Sequence, residues 1–358
     1  MSTGIDVPEA TDSPMDLHFT RTNGPVDDAI DRLMATAGGI HQPDIVREML
    51  LAALKAGQEN PEKADLKLMN STLKEMRFTA KIFGPYRQQR KVSVFGSART
   101  ATNDPSYAMA VDLGKRLAHA GFMVITGGGP GIMQAVNEGA GAEHSFGINI
   151  RLPFEQKPNP IVDGNPKSIN YKYFFNRKVA FLKEADAVVL FPGGYGTLDE
   201  AMETLTLIQT GKRDPMPVIM VSPGGSVYWK EWLAFVKNRL EGEGFIGDQD
   251  TTLFRLTDSL EAVIEDIRGF YRRYHSLRYV GNTLVLRLLS EPSPETLERA
   301  RQNFKDLLVP GGRIRTSGPL ADESDTPAIM HLPRLLVDFN RTRFARLRAF
   351  IDFINANP

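Results

Sequence analysis

The sequence predicts an α/β protein: a doubly wound, largely parallel sheet with an N-terminal helical extension and a small C-terminal α+β unit. Three observations predict it. Short runs of strand formers, such as Ala187-Val188-Val189-Leu190-Phe191, read as strands buried on both faces. Such runs alternate with helix-period stretches from residue 91 to 270, the pattern of parallel strands joined by right-handed crossovers. Three runs end in turns at 96–100, 127–131 and 193–197, each opening toward a helix. Turns at the C-terminal ends of such strands face one crevice, so these three are expected to converge.

Composition narrows the class. The 358 residues suffice for a full core and two domains with tails. Apolar residues at 42% and charged residues at 24% are ordinary for a globular chain. Lys and Arg together number 43, as do Asp and Glu, so no net charge draws the chain to nucleic acid or membrane. Cysteine is absent, which excludes disulfides and thiolate metal sites. The polar N-terminus lacks an apolar signal core, and no run approaches about 18 apolar residues. A cytoplasmic location, with no nucleic-acid or membrane partner, is the expectation.

In order along the chain, residues 1–25 mix Pro, Gly, Ser and Asp without period and read as a flexible tail. Residues 26–90 are helical: Ile30, Leu33 and Met34 share a face, Val46, Met49, Leu50, Ala53 and Leu54 form a second stripe, and a third runs from Leu66 to Phe83. These stripes are expected to pack against the core or a second subunit. The core domain spans 91–274. Val92–Phe95 is its first strand, and the turn after it offers the Ser97 hydroxyl and the Arg99 fork, both suited to phosphate. Phe122–Ile125 leads into Gly127, Gly128, Gly129, Pro130 and Gly131, a second phosphate- or ribose-cradling loop. It is not the dinucleotide fingerprint G-x-G-x-x-G. Phe146–Ile150 is a third strand, and the irregular 151–166 loop after it is expected to border the pocket. From 275 to 358 the pattern becomes strand, helix, two strands and a basic helix over 341–355, whose Arg341, Arg343, Arg346 and Arg348 read as a solvated face.

The organising stretch is Tyr173–Gln209, a helix, strand, glycine turn and helix. Phe174, Phe175 and Phe181 are expected to pack the first helix on the sheet. Gly193, Gly194 and Gly196 free the backbone to approach an anion, and Thr197 is expected to cap the next helix, whose dipole favours negative charge. Asp199 and Glu200 lie about 100° apart on that helix, so one can face solvent while the other faces the pocket. A carboxylate beside a bound phosphate is costly unless it has another task. Arg177, in Asn176-Arg177-Lys178, enters the same strand from the other side.

Arg177-Lys178 followed by Pro192-Gly193-Gly194-Tyr195-Gly196-Thr197-Leu198-Asp199-Glu200 resembles the LOG (Lonely Guy) family, as does the earlier Gly-Gly-Gly motif. The resemblance runs from about Lys91 to about Tyr271. It implies a Rossmann-like fold and hydrolysis of the base–ribose bond of a nucleoside 5′-monophosphate, with AMP or an N6-modified AMP as substrate. Glu200 would stabilise the cationic sugar and act on water, with Arg177 fixing Glu200 or the phosphate. Ser97, Arg99, Gly127, Gly128, Gly129, Gly131, Lys178, Gly193, Gly194, Gly196 and Thr197 would bind substrate. No metal or cofactor is expected. The resemblance also implies a homo-oligomer, a dimer or larger, whose subunits complete one another's pocket. The alternative is a non-catalytic nucleotide or pterin carrier or sensor on the same fold. Proteins of this kind have been labelled lysine decarboxylases, yet no lysine is placed as a cofactor anchor.

Overall fold

The computed structural model describes residues 21–60, 62–152, 157–323 and 327–357. Most of the expected tail and residues 153–156 of the 151–166 loop lie outside them. The chain divides into two compact units, Met1–Lys74 and Glu75–Pro358.

The first unit holds α1 (Pro25–Ala37), α2 (Pro43–Glu59) and the start of α3 (Lys63–Phe83). Both α1 and α2 open with proline, whose missing N–H costs nothing in a first turn. Arg47 of α2 donates to Asp27 of α1, and both are buried, as are Ile30 and Leu51. Leu33, Met49 and Leu54, expected on packing stripes, are exposed.

The division falls inside α3, not near residue 90 as the pattern suggests. The second half of α3 is tied to the core of the second unit: Glu75 accepts from the Lys172 amide at 2.7 Å and from Asn176 Nδ2 at 2.6 Å, and Phe83 stacks on Phe146 at 4.3 Å.

That core alternates β1 (Lys91–Phe95), α4 (Pro105–His119), β2 (Met123–Thr126), α5 (Ile132–Ala140), β3 (Ser145–Ile150), β4 (Ser168–Tyr171), α6 (Phe174–Glu184), β5 (Ala187–Leu190), α7 (Tyr195–Gln209), β6 (Val218–Val221), α8 (Tyr228–Phe235), β7 (Arg255–Thr257) and α9 (Leu260–Phe270). The strands form one sheet in the order β4-β3-β2-β1-β5-β6-β7, every pairing parallel. Strands β1, β2, β5 and β6 are wholly buried, because helices cover both faces. The order reverses between β1 and β5, which opens the crevice at their C-terminal ends. This is the Rossmann-like doubly wound architecture that the strand runs predicted.

The remaining chain forms β8 (Tyr274–Val280), β9 (Thr283–Leu288), α10 (Pro294–Asn303), β10 (Ile314–Ser317), β11 (Arg334–Val337) and α11 (Phe344–Ala356). Its sheet, β10-β11-β9-β8, is antiparallel. It belongs to the same compact unit as the parallel sheet. Arg348 of α11 explains part of this. Expected on a solvated face, it is instead buried, donates to the Met216 carbonyl at 2.7 Å and pairs with Asp352 at 3.0 Å. Arg343 and Arg346 pair with Asp306.

Candidate active site

The three turns meet through the main chain of Ser97. Its N–H donates to the Pro192 carbonyl at 3.1 Å, and its carbonyl accepts from the Ile132 N–H at 3.1 Å. Its hydroxyl accepts from the Arg99 N–H at 3.1 Å. The result is a cavity of about 780 Å³ at the β1/β5 crevice. Ser97, Arg99, Gly127, Arg177, Gly193, Gly194, Gly196, Thr197 and Glu200 line it, together with Met133, Phe174 and Phe181.

The turn after β5 is open. Helix α7 begins at Tyr195 with Gly194 as N-cap, so Thr197 is its third residue and not the expected cap. The Thr197 and Leu198 amides both donate to the Gly194 carbonyl, at 3.0 and 3.1 Å. Tyr195 and Gly196 have no carbonyl four residues behind them within the helix, so their N–H groups are left for an outside acceptor. A Cβ on Gly194 or Gly196 would meet nothing within 4 Å, whereas one on Gly193 would strike Thr197 Oγ1 at 2.2 Å. Glycine at 194 and 196 thus satisfies no neighbour in the chain, and both face the cavity. The Tyr228 hydroxyl donates to the Gly193 carbonyl at 2.6 Å and braces the turn from α8. No motif in the sequence marks that tyrosine.

The Gly-Gly-Gly loop is filled. A Cβ on Gly127 would strike Arg177 Nη2 at 2.3 Å and the Met133 sulfur at 2.6 Å. At Gly128, where φ is +69°, it would strike Asn149 Oδ1 at 2.0 Å. At Gly131, φ +67°, it would strike the Ser97 carbonyl at 2.3 Å. Beneath the loop, Asn159 donates its N–H to the Gly128 carbonyl at 2.7 Å and Nδ2 to the Gly129 carbonyl at 3.1 Å. Asn137 is wholly buried and accepts from Thr126 and Asn159. Of the four loop glycines expected to touch substrate, Gly127 lines the cavity, Gly128 and Gly131 fit closely against Asn149 and the Ser97 carbonyl, and Gly129 accepts from Asn159.

Glu200 lies four and five residues beyond the open amides, a little over one turn and about 6–7.5 Å along the helix. It is 8% exposed, and its Oε2 has no hydrogen-bond partner. Burial is the main reason that its carboxyl is pushed up to about 7; Lys178 and Arg177 pull it down, while Glu203 and Asp199 push it up. Arg177 donates Nε–H to the Ile148 carbonyl at 2.9 Å and lies 5.1 Å from the Phe181 ring centre. Burial lowers its pKa and the charge of Glu200 opposes that. The two therefore interact through charge, with no direct hydrogen bond among the described contacts. Lys178, expected on substrate, is ion-paired instead with Asp199 at 2.8 Å and Glu203 at 3.1 Å. Phe181 is buried as expected, but Phe174 is 57% exposed on the cavity wall and Phe175 is 46% exposed. Phe174, Arg177 and Phe181, at i, i+3 and i+7, share the cavity face.

Among the described residues no group of three His, Asp or Glu side chains is placed to hold a metal ion, and no helix is long and apolar enough to cross a membrane.

A family model described as "possible lysine decarboxylase" matches residues 132–267. A cytokinin riboside 5′-monophosphate phosphoribohydrolase of Arabidopsis thaliana is 31% identical over 160 residues, 44% of this chain and 72% of that protein. A probable enzyme of the same description from Oryza sativa subsp. japonica is 32% identical over 176 residues, 48% of this chain and 73% of that protein. Among solved structures, the molybdenum cofactor carrier protein of Chlamydomonas reinhardtii is 21% identical with a TM-score of 0.36, covering 50% of this chain and 96% of that one. Among the described residues no lysine lines the cavity, and Lys178 is ion-paired.

Proposed function

The chain belongs to the LOG family, and from that premise we propose that it hydrolyses the N-glycosidic bond of a nucleoside 5′-monophosphate, AMP or an N6-modified AMP, to free base and ribose 5-phosphate. The reading rests on one observation above the others: a buried carboxyl without a hydrogen-bond partner on Oε2, one turn below a bare helix N-terminus.

The 5′-phosphate takes the Tyr195 and Gly196 amides, with Ser97 and Arg99 beside it. One helical turn then sets Glu200 at the level of the ribose. As the C1′–N bond lengthens, positive charge grows on the sugar, and the buried Glu200 carboxylate stabilises it. Water adds its oxygen to C1′. Glu200 takes a water proton and returns it to the departing base nitrogen, so the carboxylate is regenerated. A carboxyl titrating near 7 is suited to both transfers. Phe174 and Met133 supply apolar wall for the base. Arg177, held by the Ile148 carbonyl, keeps a positive charge near Glu200 and favours its ionised form.

Phe174 on α6 and Tyr195 on α7 line the cavity and are exposed, as are Phe175 and Val179 on α6. We propose that a second copy of the chain covers them in a homo-oligomer. Sedimentation of the wild type against Val179→Glu tests this, the variant being expected to dissociate.

The decisive assay incubates the chain with a nucleotide panel and separates free base from ribose 5-phosphate by chromatography. Glu200→Gln should lower kcat by about 10²–10³-fold, about 3–4 kcal/mol, and still bind nucleotide. Unchanged base release by that variant defeats the assignment. Nucleotide bound and never cleaved by the wild type leaves a binding protein.

A further inference from the structure

Three carboxylates lie within one turn and a half of α7, Asp199, Glu200 and Glu203, and one ammonium answers them from α6. Glu200 and Glu203, at i and i+3, share a helix face, where side chains are neighbours. Lys178 Nζ lies 2.8 Å from Asp199 Oδ1 and 3.1 Å from Glu203 Oε2, with its own side chain 19% exposed. The Asp199 side chain is 58% exposed and that of Glu203 is 30% exposed, so the better shielded of its two ion pairs is with Glu203. Adjacent helix positions point about 100° apart. Arg177 therefore enters the cavity while Lys178 leans on the flank of α7.

We propose that Lys178 and Glu203 are positioning residues that set the protonation of Glu200 in opposite directions, Lys178 favouring the carboxylate and Glu203 the acid. This rests on the reading of Glu200 as the reacting carboxyl. The charged groups around it are Lys178 and Arg177 on α6, Asp199 and Glu203 on α7, and Arg99 across the cavity. Lys178, seated between Asp199 and Glu203 on the flank of α7, pulls the Glu200 carboxyl down, and Glu203, its neighbour at i+3, pushes it up. Without Lys178, burial and two like charges act on Glu200 against Arg177 alone. The pair thus holds the carboxyl where it can both take and return a proton at neutral pH.

The test is a carboxyl ¹³C NMR titration of the full chain labelled at glutamate, with Glu200 assigned by its loss in E200Q. Lys178→Met should move the Glu200 midpoint up by about 1–2 pH units, and Glu203→Gln should move it down by about 1. Lys178→Arg should leave it near wild type. The acid limb of kcat/KM should follow in the same directions. A purely structural role would not give shifts of opposite sign, so both variants unmoved, or both moved the same way, overturns the proposal. If Lys178→Met does not fold, Glu203→Gln alone decides: a downward shift supports the proposal and none overturns it. The NMR readout needs no turnover. Shifts without base release keep the tuning and reject the hydrolase reading; base release without shifts does the reverse.

Discussion

Two glycine turns flank the same cavity and use glycine for different reasons. In 127–131 the space that a Cβ would take is already occupied, by Arg177 and Met133 at Gly127, Asn149 at Gly128 and the Ser97 carbonyl at Gly131. In 193–197 the space at Gly194 and Gly196 is empty and faces the cavity. Glycine in the first loop serves packing. In the second, Gly196 lies within the first turn of α7 and costs helix stability, up to about 1 kcal/mol relative to alanine, and returns nothing to the folded chain alone. A residue that weakens its own helix and touches no neighbour fits the nucleotide site proposed above.

The difference can be broken at its strongest point first. Gly131→Ala meets both a left-handed backbone and a carbonyl, and should lower stability by about 2–5 kcal/mol, read as a fall in Tm. A neutral result would mean that the first loop is not packed. Next comes the acid beneath the open turn. The folded Glu200 pKa, about 7, lies above its ordinary 4.5. Below pH 4.5 both states are protonated and nothing is lost; between 4.5 and 7 the unfolded chain ionises first, so stability falls with pH, and the full cost stands above 7. Glu200→Gln removes that pH dependence and should gain roughly 2–3 kcal/mol over wild type between pH 4 and pH 8. Parallel stability–pH curves for the two proteins would contradict it. Arg177→Lys keeps a charge but loses the Nε–H that holds it to Ile148, and should cost about 1.5–2 kcal/mol in kcat/KM. The smallest effect is the sharpest. Gly196→Ala should leave Tm unchanged or raise stability by up to about 1 kcal/mol, yet weaken nucleotide binding about tenfold by calorimetry. A loss of both, or of neither, would erase the distinction between the turns.

Much of the fold was legible because a parallel sheet covered on both faces writes itself as continuous apolar runs. Strand β8 was not. Tyr274–Val280 carries His275, Ser276 and Arg278 and is largely half-buried, so it has neither an apolar run nor a clean alternation. The crevice was legible from the three turns. Which glycines face it was not, because sequence shows that a Cβ is missing and not what fills its place. Thr197 reads as a cap because glycine is a poor helix former, yet the chain turns helical two residues earlier. Lys178 shares its motif with Arg177, and only the helical phase separates the residue in the cavity from the one on its flank. Tyr228 and Asn159 reach the loops through space, from 35 and 30 residues away, beyond any local pattern.

The two hydrogen bonds that tie Ser97 to its neighbouring turns are made by peptide atoms, which every amino acid carries. In the proposed reaction, substitution along the cavity wall can therefore change which base is admitted while the frame proposed to grip the phosphate stays put. Such a scaffold lets selection explore new substrates one side chain at a time, with the chemistry's geometry insulated from the search.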